Sequence, residues 1–262
     1  MDNWAAEQAA RIIWNTWQAN DRIDGLPTDC RPTTRREGYK VQSEVARLSG
    51  HASFGWKIAA TSRAGQKHIG VDGPLAGRLF ENRAFQSDAT VPMINNLMKV
   101  AEAEFAFRMA RNLPPRTTAY LMEEVLDAVA SMHPAIEIPD SRYHEFSKVG
   151  AAQLIADNAC ANYFVLGPAT SAEWRRHDLA EHPVSAWVNG KLARDGKGAN
   201  VLGDPRLALT WLVNELSAVG EPLRAGLVVT TGTCVVPVDI SRGDHVVADF
   251  GLFGRIEARF TS

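Results

Sequence analysis

Apolar and polar residues alternate along VAEAEFAF, residues 100–107. Successive side chains of a strand point to opposite faces, so residues two apart share one. The pattern predicts a strand with Ala101, Ala103, Phe105 and Phe107 on a core face and Val100, Glu102, Glu104 and Ala106 on the other. A second apolar strand is predicted in HPAIEIPDSRY, where Ile136 and Ile138 flank Glu137 and where Pro134 and Pro139 bracket the strand. Further strands are expected in FGWKIAAT, in VSAWVNGKLAR with Asn189-Gly190 as a hairpin signal, and in the β-rich last fifty or so residues.

Other stretches carry a helical period. Residues 4–17 predict an alanine-rich helix with Trp4, Ile12, Ile13 and Trp17. Thr34 and Glu37 have capping-box spacing for a second helix, with Tyr39, Val45 and Leu48 on its apolar side and Gly50 as its stop. TTAYLMEEVLDAVASMH, residues 117–133, reads as a helix with Leu121, Val125, Val129 and Met132 at helical spacing, ended by His133-Pro134. Asp204 as N-cap and Pro205 at the first turn start another, striped by Leu209, Leu212, Leu216 and Val219 and closed by Gly220. GVDGPLAGRLF, residues 70–80, reads as a glycine- and proline-rich loop. The sum is an α+β fold: a helical segment over residues 1–50, then a mixed, mostly β core over residues 51–262 with packing helices.

The strand pattern raises a chemical question. Glu102 and Glu104 stand about 6–7 Å apart on one strand face, from the rise per residue. Like charges at that spacing repel, more so when buried. A hard divalent cation such as Mg²⁺, Mn²⁺ or Ca²⁺ is one solution, because carboxylate oxygens suit it. An edge strand with a solvated acidic face is the other. Glu137 adds a third acid in the middle of an apolar strand, where an acid is rarely left unpaired, and the three together favour a metal site. The seven histidines have no metal-ligand spacing.

Composition narrows the setting. The 262 residues are 45% hydrophobic and 22% charged, which suits one large core. A net charge of -2 gives no reason to expect a nucleic-acid or membrane-surface partner. No apolar run approaches the roughly 18–20 residues of a bilayer span. The first residues, with Asp2, Glu7 and Arg11, lack a signal-peptide pattern, so the cytoplasm is the expected address. Cys30, Cys160 and Cys234 are widely spaced and read as buried free thiols.

The segments GWKIAATS, GVDGPLAGRL, AEAEFAF, AIEIPDSRY, ADNA, VLGDP, GEPLRAG and ADFGLFG, in this order and spacing, resemble the fumarylacetoacetate hydrolase superfamily. The nearer resemblance is to its 2-keto-4-pentenoate hydratase and 4-oxalocrotonate decarboxylase branch. It covers nearly the whole chain and implies a β-sandwich or roll core of that type. It implies that Glu102, Glu104 and Glu137 hold one Mg²⁺ or Mn²⁺, and that Lys57 is the main proton-transfer or charge-stabilising residue. By itself Lys57 reads as a snorkelling strand lysine; beside a metal its pKa could be depressed, which suits acid–base work.

TTGTC matches the family's glycine turn, so Thr231, Gly232 and Thr233 are candidate substrate contacts, with a plain β-turn as the alternative for the threonines. Arg142 is a weaker candidate for a substrate carboxylate; with Asp140 it most simply forms turn and ion-pair contacts. Asp157 and Asn158 either shape the site or hydrogen-bond a nearby loop. One departure stands out. The hydratases of this type carry an aspartate in GVDxPDxG, and Leu75 occupies that place here, as an apolar residue tends to in the decarboxylases. Asp72 or Glu81 could supply the missing acid. The resemblance implies a small 2-oxo acid substrate, a homo-oligomer, and a possible complex with another pathway enzyme. The expected activity is a metal-dependent lyase of hydratase type in aromatic catabolism. Its alternatives are a decarboxylase of a 2-oxo-dicarboxylate, an acylpyruvate C–C hydrolase, and a non-catalytic partner subunit, which retention of the glutamates and Lys57 argues against.

Overall fold

The computed structural model describes residues 1–261. In chain order the elements are α1 (Asn3–Ala19), α2 (Arg35–Ser49), β1 (Ser53–Ala59), α3 (Arg63–Ile69), β2 (Leu75–Phe80), β3 (Ala84–Gln86), β4 (Ala89–Pro92), β5 (Val100–Met109), α4 (Met122–Asp127) and β6 (Val129–Ile138). Then follow α5 (Ala151–Ala156), β7 (Tyr163–Leu166), β8 (Pro183–Val188), β9 (Lys191–Lys197), α6 (Pro205–Ala218), β10 (Val228–Thr233), β11 (Val238–Asp239), β12 (His245–Asp249) and β13 (Arg255–Thr261).

The two N-terminal helices form as their caps predict. Asp2 accepts from the Ala5 amide to start α1, and Thr34 with Glu37 makes the capping box of α2. Their apolar faces, including Ile13, Trp17, Val41 and Val45, bury a cluster of their own with Phe80, Tyr143 and Ala156. Asp204 caps α6, whose Leu209, Leu212 and Leu216 are buried. The Asn189-Gly190 hairpin joins β8 to β9.

Two sheets make the core. The eight-stranded sheet runs β2-β1-β10-β5-β6-β7-β3, with β11 also paired to β5, and the five-stranded one runs β4-β13-β12-β8-β9. Phe105 on β5 meets Phe250 with ring centroids 5.0 Å apart, and Phe107 meets Trp174 at 5.4 Å. The opposite face of the large sheet buries a smaller cluster that includes Leu79, Ala106, Ala135, Phe164 and Val228. One end of that face carries the acids. Because β5 pairs with β10 on one side and β6 on the other, Glu102 and Glu104 lie on an interior strand and not on a solvated edge.

Three expectations fail. The helix expected over residues 117–133 is only α4, and from Val129 the chain is strand β6. Leu121 is 67% exposed, so its spacing marks no buried stripe. The ladder from Met109↔Val129 to Glu102↔Glu137 overrides the helical period. Pro134 lies inside β6 and not at its start, just where pairing with β7 begins at Ala135. The loop expected over residues 70–80 contains strand β2, paired along β1 from Ala59↔Leu75 to Ser53↔Phe80. Its Gly77 has a packing reason: a Cβ there would lie 2.2 Å from the Asn158 carbonyl oxygen. The short helix α3, capped by Ser62, was not expected from the sequence.

Candidate metal centre and active-site cavity

Antiparallel pairing of β5 with β6 sets Glu102 directly opposite Glu137, and Glu104 follows two residues along on the same face. One carboxylate oxygen from each of the three lies within 4.8 Å of the others. Glu104 and Glu137 are fully buried, and Glu102 is half-buried. Glu104 Oε2 accepts from the Thr230 hydroxyl and, at 2.9 Å, from the Gly232 amide. Glu104 Oε1 and Glu137 Oε1 are buried with neither a hydrogen bond nor an ion pair, and Glu137 Oε2 has only the Lys57 ammonium, 3.5 Å away. Buried acceptors are normally satisfied, so these orphaned oxygens fit a ligand that supplies positive charge. An all-carboxylate donor set suits a hard cation such as Mg²⁺, Mn²⁺ or Ca²⁺.

The electrostatics are those of a crowded acidic site. Burial, then Glu102 and Glu137, hold Glu104 well above the usual carboxylate range. Burial pushes Glu137 up to about 8, with Lys57 pulling the other way. Lys57 Nζ lies 3.5 Å from Glu137 Oε2 and donates to the Ala159 carbonyl at 3.1 Å. Burial is the largest single influence on this ammonium and pulls its pKa down, but Glu137, Glu102 and their neighbours outweigh it and the net direction is up. The depressed lysine expected from the sequence belongs to the metal-bound site, where the carboxylates' charge would be neutralised.

The Ala159 carbonyl reaches Lys57 because Asn158, Ala159 and Cys160 all have left-handed φ, at 57°, 50° and 60°. Three such residues in succession are costly and need external support. Asn158 clamps β2 by accepting from the Arg78 amide and donating to its carbonyl. Asp157 is fully buried and pairs with Arg142. Of the two roles left open for this segment, the geometry shows the structural one: Asn158 bonds the backbone of β2, and Asp157 bonds Ser141 and Arg142.

Lys57 and Glu102 line a cavity of about 850 Å³. Leu75, Gly232 and Thr233 share its wall. At Gly232, φ is +101° and a Cβ would lie 2.1 Å from Thr61 Oγ1, so only glycine fits. Its amide, a candidate substrate contact, donates instead to the Glu104 carboxylate. Thr231 points elsewhere and donates to the Phe105 carbonyl, and Thr233 donates to the Val235 carbonyl. Arg142 is not brought to the cavity: its guanidinium holds Asp157 and the Ala161 carbonyl and lies 4.2 Å from the Trp17 ring centroid. Neither Asp72 nor Glu81 lines the cavity; His68 and His144 do. Thr230 was missed, although its place two residues before Gly232 on one strand marks it. His133, expected from the sequence at the end of a helix, is a buried strand residue bonded to Ser131 and the Gly167 carbonyl.

Known proteins give this geometry a context. The family model for the fumarylacetoacetate (FAA) hydrolase C-terminal region matches residues 82–261. A 2-keto-4-pentenoate hydratase of Burkholderia vietnamiensis is 31% identical over 99% of this chain and 98% of its own. A 4-oxalocrotonate decarboxylase of Pseudomonas putida is 29% identical over 93% of this chain and 91% of its own. The solved structure of the 4-oxalocrotonate decarboxylase from Pseudomonas putida G7, complexed with magnesium and adipate, superposes with a TM-score of 0.89 at 27% identity, covering 99% of this chain and 98% of that one. By the family model over residues 82–261 and a relative 31% identical along 99% of this chain, the chain belongs to the fumarylacetoacetate hydrolase family.

Proposed function

We propose that this protein is a divalent-metal-dependent lyase, a hydratase that adds water to a 2-hydroxydienoate or 2-oxoalkenoate in aromatic catabolism. The observation that carries this reading is the set of orphaned oxygens on Glu104 and Glu137, beside a buried lysine at the floor of an apolar cavity. Similarity to hydratases along the full chain supports it. Glu102, Glu104 and Glu137 would hold Mg²⁺ or Mn²⁺. When bound, the cation supplies Lewis-acid stabilisation of negative charge developing on a 2-oxo or 2-enol oxygen.

The remaining steps belong to side chains of this chain. Thr230 and the Gly232 amide fix Glu104, so its free oxygen keeps one orientation. Lys57 Nζ, steadied by the Ala159 carbonyl, holds the proton to be moved and faces developing oxyanion charge. Thr233 and the Gly232 backbone form the wall a substrate carboxylate would meet. Leu75, fully buried, keeps its side of the pocket dry.

Leu75 also favours a second reading, decarboxylation of a 2-oxo-dicarboxylate, in which the same charge stabilisation receives the electrons left as CO₂ departs. A cytoplasmic homo-oligomer, able to associate with another pathway enzyme, is the setting that the family resemblance suggests. Product analysis tests the proposal. The Mg²⁺-loaded protein is given 2-hydroxypenta-2,4-dienoate, 4-oxalocrotonate and an acylpyruvate. The expected outcome is a product heavier by one water from the dienoate. CO₂ release from 4-oxalocrotonate alone would move the assignment to decarboxylase, and cleavage into two acids to a hydrolase. Turnover undiminished after exhaustive chelation would sink the metal reading.

A further inference from the structure

The cavity wall is chemically one-sided. Away from Lys57 and Glu102 it presents Leu75, Leu97, Met98, Val100, Val235 and Val236. Leu97 is 41% exposed and Val236 65%, so apolar side chains stand in water at the mouth. Among the described lining residues there is no arginine and no lysine besides Lys57. The arginines on adjoining segments are engaged elsewhere, Arg142 with Asp157 and Arg22 with Asp140. Arg63 and Lys67 belong to α3, but the side of that helix facing the cavity carries Ala64, Gly65, His68 and Ile69. Beyond the floor, the ionisable side chains of the wall are His68 and His144, both exposed.

A second carboxylate at the far end of a substrate would leave water for a wall that offers no lysine or arginine of its own; Lys99, exposed between Met98 and Val100, is not part of that wall. Unpaired charge against apolar surface is costly. An alkyl or alkenyl tail meets the opposite situation and gains by covering Leu97, Met98 and Val236. The volume, about 850 Å³, falls in the range that drug-sized ligands fill, so a five-carbon acid leaves much of it to water.

We infer that this site, on the reading proposed above, selects 2-oxo acids with a single carboxylate and an apolar tail reaching past the fifth carbon, and discriminates against 2-oxo dicarboxylates. Leu97, Met98 and Val236 are then specificity-determining residues, and the decarboxylase alternative loses its dicarboxylic substrate.

Calorimetric binding to the Mg²⁺-loaded protein tests this with saturated, unreactive 2-oxo acids. Affinity should rise about three- to fourfold per added methylene from 2-oxopentanoate to 2-oxooctanoate, the usual return for burying one such group. 2-Oxoadipate, matched in chain length to 2-oxohexanoate, should bind at least about tenfold more weakly, the cost of an ill-placed charge. Val236→Arg, at the exposed rim, should narrow that gap by supplying the missing cation. If 2-oxopentanoate binds only with Mg²⁺ but affinity is flat along the series, the specificity inference is overturned while the metal reading stands. The inference is equally overturned if 2-oxoadipate matches 2-oxohexanoate and loses its affinity in His68→Ala or His144→Ala. If no 2-oxo acid binds in a Mg²⁺-dependent way, the proposed function itself fails.

Discussion

Lys57 is surrounded by groups that decide its charge. Burial favours its neutral form, while Glu137, 3.5 Å away, and Glu102 pull the other way, and the net direction is up. Lys57→Ala should retain Mg²⁺, and bind it at least as tightly, because a cation next to the three carboxylates proposed as ligands has been removed. Turnover should fall by roughly 10²–10⁴-fold, the typical loss for an acid–base group. Calorimetry for Mg²⁺ and kcat on the dienoate together check this; a variant within twofold of the parent rate would return Lys57 to a structural role. The glutamates were legible because acids alternating with core residues on an apolar strand need a physical explanation. Lys57 was not legible from its neighbours. Its partners are Ala159, 102 positions away, and Glu137 on another strand, and no local period reports such contacts.

At the scale of elements, signals written in a few adjacent residues were legible: the capping box of α2, Asp204-Pro205 of α6 and the Asn189-Gly190 hairpin. Helical spacing in 117–133 misled because sheet pairing with β5 outweighs local propensity. The glycine-rich 70–80 segment hid a strand, since Gly77 serves close packing against Asn158 and not a turn. The β10 glycine is more demanding. Gly232→Ala puts a Cβ 2.1 Å from Thr61 Oγ1 at φ +101°, and it shifts the amide that holds Glu104. A cost of about 1–3 kcal/mol in chemical denaturation is expected from the backbone strain, together with weaker Mg²⁺ binding. Gly190→Ala is the control: φ there is +77° with nothing within 4 Å of the added carbon. It should lower stability without touching Mg²⁺ affinity. Equal Mg²⁺ affinities in the two variants would separate the β10 turn from the metal centre.

At the scale of the whole molecule, the acidic site works against folding until its charge is neutralised. Glu137, pushed from an ordinary 4.5 up to about 8, and Glu104, also raised, hold protons in the folded state that the unfolded chain releases at lower pH. Their contribution to stability is fully present below about pH 4.5 and is lost as pH rises toward 8. Lys57 is raised above its ordinary 10.5 and adds no slope in that window. His133 and His182 have the opposite sign: burial lowers both, so their contribution is present above 6.5 and is lost as pH falls. The two trends oppose one another in the metal-free protein, and a single melting curve cannot separate them. The difference between melting temperatures with Mg²⁺ and with chelator can, because the histidines titrate in both forms and cancel. A cation must displace the protons of Glu104 and Glu137, so its stabilising increment should be small near pH 6 and grow toward pH 8. Glu137→Gln should reduce that growth, since one of the two groups that release a proton is gone. An increment that is flat or falling with pH would mean that the cation binds without displacing these protons, and that the carboxylate cluster is not its site.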